Sequence, residues 1–199
     1  MTPLIDEFTS ARNGFLVEAI DNVLIIRFNR PEIRNPLSRD VIDGLSNFID
    51  EVTTAAASRI VFTGSGAAFA SGADLREIGS LTPFNVREFA ERGQSLMKRI
   101  EDLPITTVAA INGYCFGGGL DLALACKKRV ASPDALFCHP GVGLGIITGW
   151  GGTQRLPRLV GEGLAMEMLL TASRLSAKEA LRIGLVDTIT EDVVIAALE

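Results

Sequence analysis

Apolar residues along the chain follow two spacings, and the switches between them mark out its elements. Phe15 to Ile20 and Val23 to Phe28 are short β-type runs separated by Asp21-Asn22, the pattern of two hairpin strands joined by a tight turn. After the loop from Pro31 to Pro36, the apolar positions Val41, Ile42, Leu45, Phe48, Ile49 and Val52 recur at helical spacing. Ser38 is placed to cap that helix, and Leu37 and Ile42 to staple it. Arg59 to Phe62 then reads as a buried strand emptying into Thr63-Gly-Ser-Gly66. A second helix is expected to start with Thr82 as N-cap and Pro83 in its first turn, and to carry Val86, Phe89, Leu96, Met97 and Ile100. The rhythm repeats with a strand Ile105 to Ile111, a glycine loop Asn112 to Gly119 and a short apolar helix Leu120 to Cys126. Strand-like Arg129 to Ala131 and Ala135 to Cys138 follow. From Gly152 onward the pattern is helical, most clearly at the capping box Ser176-x-x-Glu179, whose helix ends near Gly184. Such alternation predicts a mixed α/β fold, without repeats, linkers or low-complexity stretches.

Composition narrows the partners. The chain has 199 residues, 47% apolar and 22% charged, with 19 Lys plus Arg against 24 Asp plus Glu and a formal charge of -5. That length suits a single domain with a real core, and the charge offers no broad basic surface for nucleic acid or an anionic membrane. Leu103 to Leu120 and Ala135 to Gln154 lack Asp, Glu, Lys and Arg over membrane-like lengths, but proline, polar residues and glycines interrupt both, so they read as core and loops. Met1 to Ser10 shows no basic region followed by an apolar run. A cytoplasmic protein is expected. Cys115, Cys126 and Cys138 are odd in number and never form C-x-x-C, so they are expected to be reduced, buried thiols, with no metal site.

Two segments send a buried strand into a glycine loop and then a helix: Phe62 to Leu75 and Ile111 to Leu122. Glycines let backbone N–H groups approach a ligand closely, and a helix N-terminus adds unpaired donors, so each loop is a candidate oxyanion donor. The plainer alternatives are that Gly64-x-Gly66 is only a turn, since it lacks the third glycine of a dinucleotide fingerprint, and that Gly117-Gly-Gly119 only permits close helix packing.

Four ordered motifs carry a family likeness: Asn29-Arg-Pro-Glu-Ile-Arg-Asn-Pro-Leu-Ser38, Phe69-Ala-Ser-Gly-Ala-Asp-Leu75, Ile111-Asn-Gly-Tyr-Cys-Phe-Gly-Gly-Gly-Leu-Asp121 and Leu144-Gly-Ile-Ile-Thr-Gly-Trp-Gly-Gly-Thr-Gln-Arg-Leu156. Together they resemble the crotonase family of enoyl-CoA hydratases and isomerases, from about Phe15 through Arg182-Ile-Gly-Leu-Val-Asp187. The resemblance implies one crotonase-like α/β domain over residues 1–199, a spiral of β-β-α units assembled as a homotrimer or a dimer of trimers. It implies an acyl-CoA substrate and no cofactor beyond the coenzyme A that the substrate carries. By motif, the backbone N–H groups of Ala73 and Gly118 would hold the thioester oxygen, and Ala73, Asp74, Leu75 and Arg76 would lie along the CoA. Full-length relatives continue into further C-terminal helices, so the helical C-terminal part is expected to be shortened.

The sequence also departs from the hydratase pattern. Of the two carboxylates hydration requires, the first aligns with Asp121, one methylene shorter than the usual glutamate, and the second falls on Gly141. His139, the only histidine, is either a proton donor or a hydrogen-bonded structural group, and Asp121 also suits the first turn of a helix. Thr148 is either a partner for a substrate carboxylate or a loop residue. A Ser-His-Asp hydrolase would have to run through His139, without a Gly-x-Ser-x-Gly elbow. The reading is therefore an acyl-CoA enzyme that stabilises a thioester enolate, with Asp121 as base and His139 a possible second group. The alternatives are a decarboxylase or a non-catalytic acyl-CoA binder.

Overall fold

The computed structural model describes residues 9–52 and 57–199. The N-terminal stretch read for a leader therefore lies, up to residue 8, outside the described residues. In chain order the elements are β1 (Ser10–Arg12), β2 (Phe15–Ile20), β3 (Val23–Phe28), β4 (Pro36–Leu37), α1 (Arg39–Val52), β5 (Arg59–Gly64), β6 (Ala68–Ala70), β7 (Gly72–Ala73), α2 (Leu75–Gly79) and α3 (Val86–Asp102). They continue as β8 (Thr106–Ile111), β9 (Tyr114–Phe116), α4 (Gly118–Ala125), β10 (Lys128–Ala131), β11 (Leu136–Cys138), α5 (Gly152–Val160), α6 (Glu162–Thr171), β12 (Leu175–Ser176), α7 (Ala177–Arg182), β13 (Thr188–Ile189) and α8 (Val193–Leu198).

A seven-stranded sheet runs β1-β2-β3-β5-β8-β10-β13, and a four-stranded one β12-β11-β9-β6. The two hairpin strands pair in the register the Asp21-Asn22 turn requires, Ile20 opposite Val23, and Asp21 takes the left-handed conformation (φ 52°) that a tight hairpin turn needs. From β3 onward the large sheet is parallel, and β5, β8 and β10 are each followed by a strand of the four-stranded sheet and then a helix, with the short β7 lying between β6 and α2; β3 is followed instead by β4, which pairs with β7, and then by α1. This is the expected spiral of β-β-α units.

Parallel strands buried on both faces should be apolar on both, and these are. Ile26, Ile60, Phe62 and Ile111 join the main core with the apolar face of α1, whose six predicted positions are all buried. Ile25, Val61, Val108 and Val130 form a smaller cluster beneath Val193 and Ala197 of α8. The Arg59 guanidinium reaches across to the carbonyls of Ala197 and Glu199 and satisfies the end of that helix. All three cysteines are free and buried, and burial pushes the Cys126 thiol up to about 12. No helix among the described residues is long and apolar enough to cross a membrane.

Two local expectations change. Thr82 does not cap α3: residues 83–85 form a turn in which the Asn85 carboxamide accepts from the Thr82 N–H, and the helix starts at Val86. The loop expected over Asn112 to Gly119 contains β9, which is held between β6 and β11. The capping box at α7 is as expected, Ser176 Oγ accepting from the Glu179 N–H and the Glu179 carboxylate from the Ser176 N–H. Ser176→Ala should lower stability by about 1 kcal/mol. An unchanged urea midpoint would show that water serves that helix end equally well.

Candidate active site

The two glycine loops meet at one wall. β7 is held in place by its parallel pairing with β4, Leu37 opposite Ala73. The Gly117 N–H is anchored on the Cys138 carbonyl, and Gly117 takes a conformation (φ 52°, ψ −120°) that suits only glycine, which turns the chain into α4. The start of α4 is thereby pressed against β7: a methyl group on Gly118 would lie 3.3 Å from the Ala73 nitrogen. Ala73 and Gly118 line the same pocket, an apolar cleft of about 210 Å³. Its far side is formed by Val86, Phe89 and Ala90 of α3 and by the loop from Leu144 to Trp150.

Asp121 sits in the first turn of α4, at the end of this pocket, fully buried. Its Oδ2 accepts from the Thr148 hydroxyl and, at 3.2 Å, from the Trp150 N–H. Its Oδ1 has no hydrogen-bond partner and faces the His139 Nε2 at 3.8 Å. Burial raises the Asp121 carboxyl to about 6, against the pull of the Thr148 and Trp150 hydrogen bonds, the Arg155 charge and the Gly152 N–H, which lies near the carboxylate without a well-formed hydrogen bond to Oδ1. Burial lowers His139 to about 4, so near neutral pH the site holds a carboxylate beside a neutral imidazole. Gly152 makes room for both, since a methyl group there would lie 2.2 Å from Asp121 Oδ1 and 3.0 Å from His139 Cε1.

The structure thus gathers Ala73, Gly118, Asp121 and His139 at one pocket, with Leu75 at its mouth. It does not bring Asp74 and Arg76 to the pocket wall. The Asp74 carboxylate caps α2 through the Arg76 N–H and pairs with the Arg76 guanidinium at 2.8 Å, which holds its carboxyl below the usual range. His139 does not match the expected hydrogen-bonded structural histidine, because both of its ring nitrogens are buried without a partner. Thr148 is committed to Asp121. Gly141 lines the pocket, and a methyl group there would come within 2.8 Å of the Ile146 carbonyl oxygen, so the loop is folded around the absence of a side chain. Trp150 and Gly152, with no role assigned from sequence, both shape the site. A buried glycine on the apolar face of α3, Gly93, was the available signal for a bulky neighbour.

Comparison with known proteins shows the family. A family model described as Enoyl-CoA hydratase/isomerase matches residues 18–197. A crotonyl-CoA hydratase of Syntrophomonas wolfei is 39% identical over 183 residues, 91% of this chain and 70% of that protein. A short-chain-enoyl-CoA hydratase of Clostridium acetobutylicum is 39% identical over 181 residues, 90% of this chain and 69% of that protein. Among solved structures, DspI of Pseudomonas aeruginosa superimposes with a TM-score of 0.89 at 37% identity, covering 93% of this chain and 77% of its own. An enoyl-CoA hydratase of Bacillus anthracis gives 0.86 at 37%, covering 92% and 72%. With the family model over residues 18–197, relatives at 39% identity and the shared fold in accord, the chain belongs to the enoyl-CoA hydratase/isomerase family of enzymes and has the crotonase fold.

Proposed function

We propose that this enzyme moves a proton on the acyl chain of a CoA thioester, using Asp121 as a single base, and that its most direct reaction is isomerisation of an enoyl-CoA double bond. One observation carries the reading: among the described residues the only carboxylate lining the pocket is Asp121, which has one oxygen clamped by Thr148 and Trp150 and the other without a well-formed hydrogen bond, in the pocket that Ala73 and Gly118 also line. A thioester oxygen placed between those two N–H groups gains donors where negative charge develops. Asp121 Oδ1 removes a proton from the carbon next to the carbonyl, and the C–H electron pair passes into the enolate. The double bond then shifts as the same proton returns two carbons further along. Shuttling one proton needs one base, and the neighbourhood of Gly141 offers no second carboxylate. A carboxyl that titrates near 6 suits this role, being ionised at neutral pH yet basic enough to take a proton.

Hydration is the second reading, favoured by the unpartnered Asp121 Oδ1 and His139 nitrogens, which together can hold a water. Incubation with 3-enoyl-, 2-enoyl- and malonyl-type CoA thioesters, followed by mass and chromatographic position, decides between them. A shifted peak of equal mass from the 3-enoyl substrate is expected, and gain of water would establish the second reading. Loss of carbon dioxide, or CoA binding without turnover, would overturn both. We further infer a homotrimer, whose assembly would cover exposed apolar side chains such as Met166 and Leu170 of α6, in a cytoplasmic setting. Light scattering that reads a monomer would remove the trimer.

A further inference from the structure

Trp150 is the chain's only tryptophan and lies at the inner wall of the pocket, 4% exposed. It is packed between two glycines on different helices. A methyl group on Gly93 of α3 would lie 2.2 Å from its Cδ1 and Nε1, and one on Gly118 of α4 2.4 Å from its Cζ3. The indole therefore fills the cleft between α3 and α4, with the Phe89 ring 5.7 Å away. Its backbone is pinned on both sides: the N–H goes to Asp121, Arg155 donates to its carbonyl at 3.2 Å, and Gln94 of α3 donates to the carbonyl of Gly149 at 2.8 Å. A ring so fixed does not swing aside to admit a longer chain. The space it leaves, about 210 Å³, is below the roughly 300–1,000 Å³ of pockets that take drug-sized ligands.

We propose that the Trp150 indole is the stop that sets acyl-chain length, so that the pocket takes short-chain acyl-CoA thioesters, and that the cleft between α3 and α4 is the room a longer chain would occupy without it. The assignment rests on the acyl-CoA reading above for the ligand class, though not on the reaction. An acyl chain running inward from Ala73 and Gly118, past Asp121, meets the indole face. Each methylene that finds apolar room should tighten binding by about fourfold, and each that must press against the fixed ring should weaken it.

The test is calorimetric binding of acetyl-, butyryl-, hexanoyl- and octanoyl-CoA, which are saturated and undergo no double-bond chemistry, to the wild type and to Trp150→Phe and Trp150→Ala. The wild type should bind butyryl-CoA best and octanoyl-CoA least. Trp150→Ala should move the optimum toward octanoyl-CoA, by about fourfold per methylene accommodated, and Trp150→Phe should fall between. Circular dichroism checks each variant, and if the alanine form does not fold the phenylalanine form decides. The same chain-length order in wild type and folded variants would overturn the proposal. So would a wild type that binds octanoyl-CoA as tightly as butyryl-CoA, or none of the four. A wild type that binds in the expected order yet converts no enoyl thioester would retire the proton-transfer reading and leave the chain-length stop supported.

Discussion

Asp121→Asn should reduce turnover by about 10²–10⁴-fold while acyl-CoA binding stays near the wild-type value. The amide keeps the volume and leaves an oxygen to accept from Thr148 and the Trp150 N–H, so the clamp and the buried surroundings survive. What it loses is the proposed base. In the proposed mechanism that base works ionised, and burial sets the Asp121 carboxyl at about 6, so the rate should rise with pH through about 6 and level off above it. A rate independent of pH across that range, or an asparagine variant with undiminished turnover, would take Asp121 out of the mechanism. Thr148→Val should move the same acid limb upward, because the Thr148 hydroxyl favours the ionised form of Asp121.

Gly118→Ala is the second large effect. The added methyl would meet Cζ3 of Trp150 at 2.4 Å, well inside van der Waals contact, on the side that faces the Ala73 nitrogen. Because the indole is wedged against Gly93 on its other edge, the start of α4 must yield, and the Gly118 N–H moves off the aim at the thioester oxygen proposed for it. Losing one such donor costs about 10²–10³ in kcat. Gly143→Ala is the control: it lies in a neighbouring turn, a methyl group there meets nothing within 4 Å, and activity should be unchanged. Equal activity of the two variants would mean that the Gly118 N–H is not a donor in the reaction.

Much of the framework was legible because its signals are local. The strands Phe15–Ile20 and Val23–Phe28 and the six buried positions of α1 announce themselves by spacing alone. β9 does not: its partners are Ala68 and Leu136 and their neighbours, far off in sequence, and its three residues are flanked by glycines that read as loop. Thr82-Pro83 carries the sequence signature of a helix start, yet the Asn85 carboxamide captures the Thr82 N–H and delays the helix by a turn. At the site, motif likeness singled out Asp121 and both glycine loops, which the fold brings to one pocket. It left out what depends on the loop from Leu144 to Trp150 folding back over α4, namely the Thr148 hydroxyl on Asp121 and the indole in the cleft. No local pattern encodes that contact, because it joins residues 27 positions apart through a loop without regular structure.

The facing pair Asp121 and His139 also bears on the acid tolerance of the fold. Burial raises the aspartate from its ordinary 3.8 to about 6 and lowers the histidine from 6.5 to about 4. Asp121 therefore contributes stability that is fully present below about 3.8 and is lost as pH rises through about 6. The His139 contribution runs the other way, fully present above about 6.5 and lost as pH falls through about 4. Between those limits the folded chain keeps a proton on the carboxyl where the unfolded chain keeps it on the imidazole, and the two linkages offset one another. Asp121→Asn removes one half of that exchange. Urea unfolding at a series of pH values should then show stability falling more steeply on acidification than in the wild type, so the residue proposed to move the substrate's proton also keeps the fold's own proton balance level.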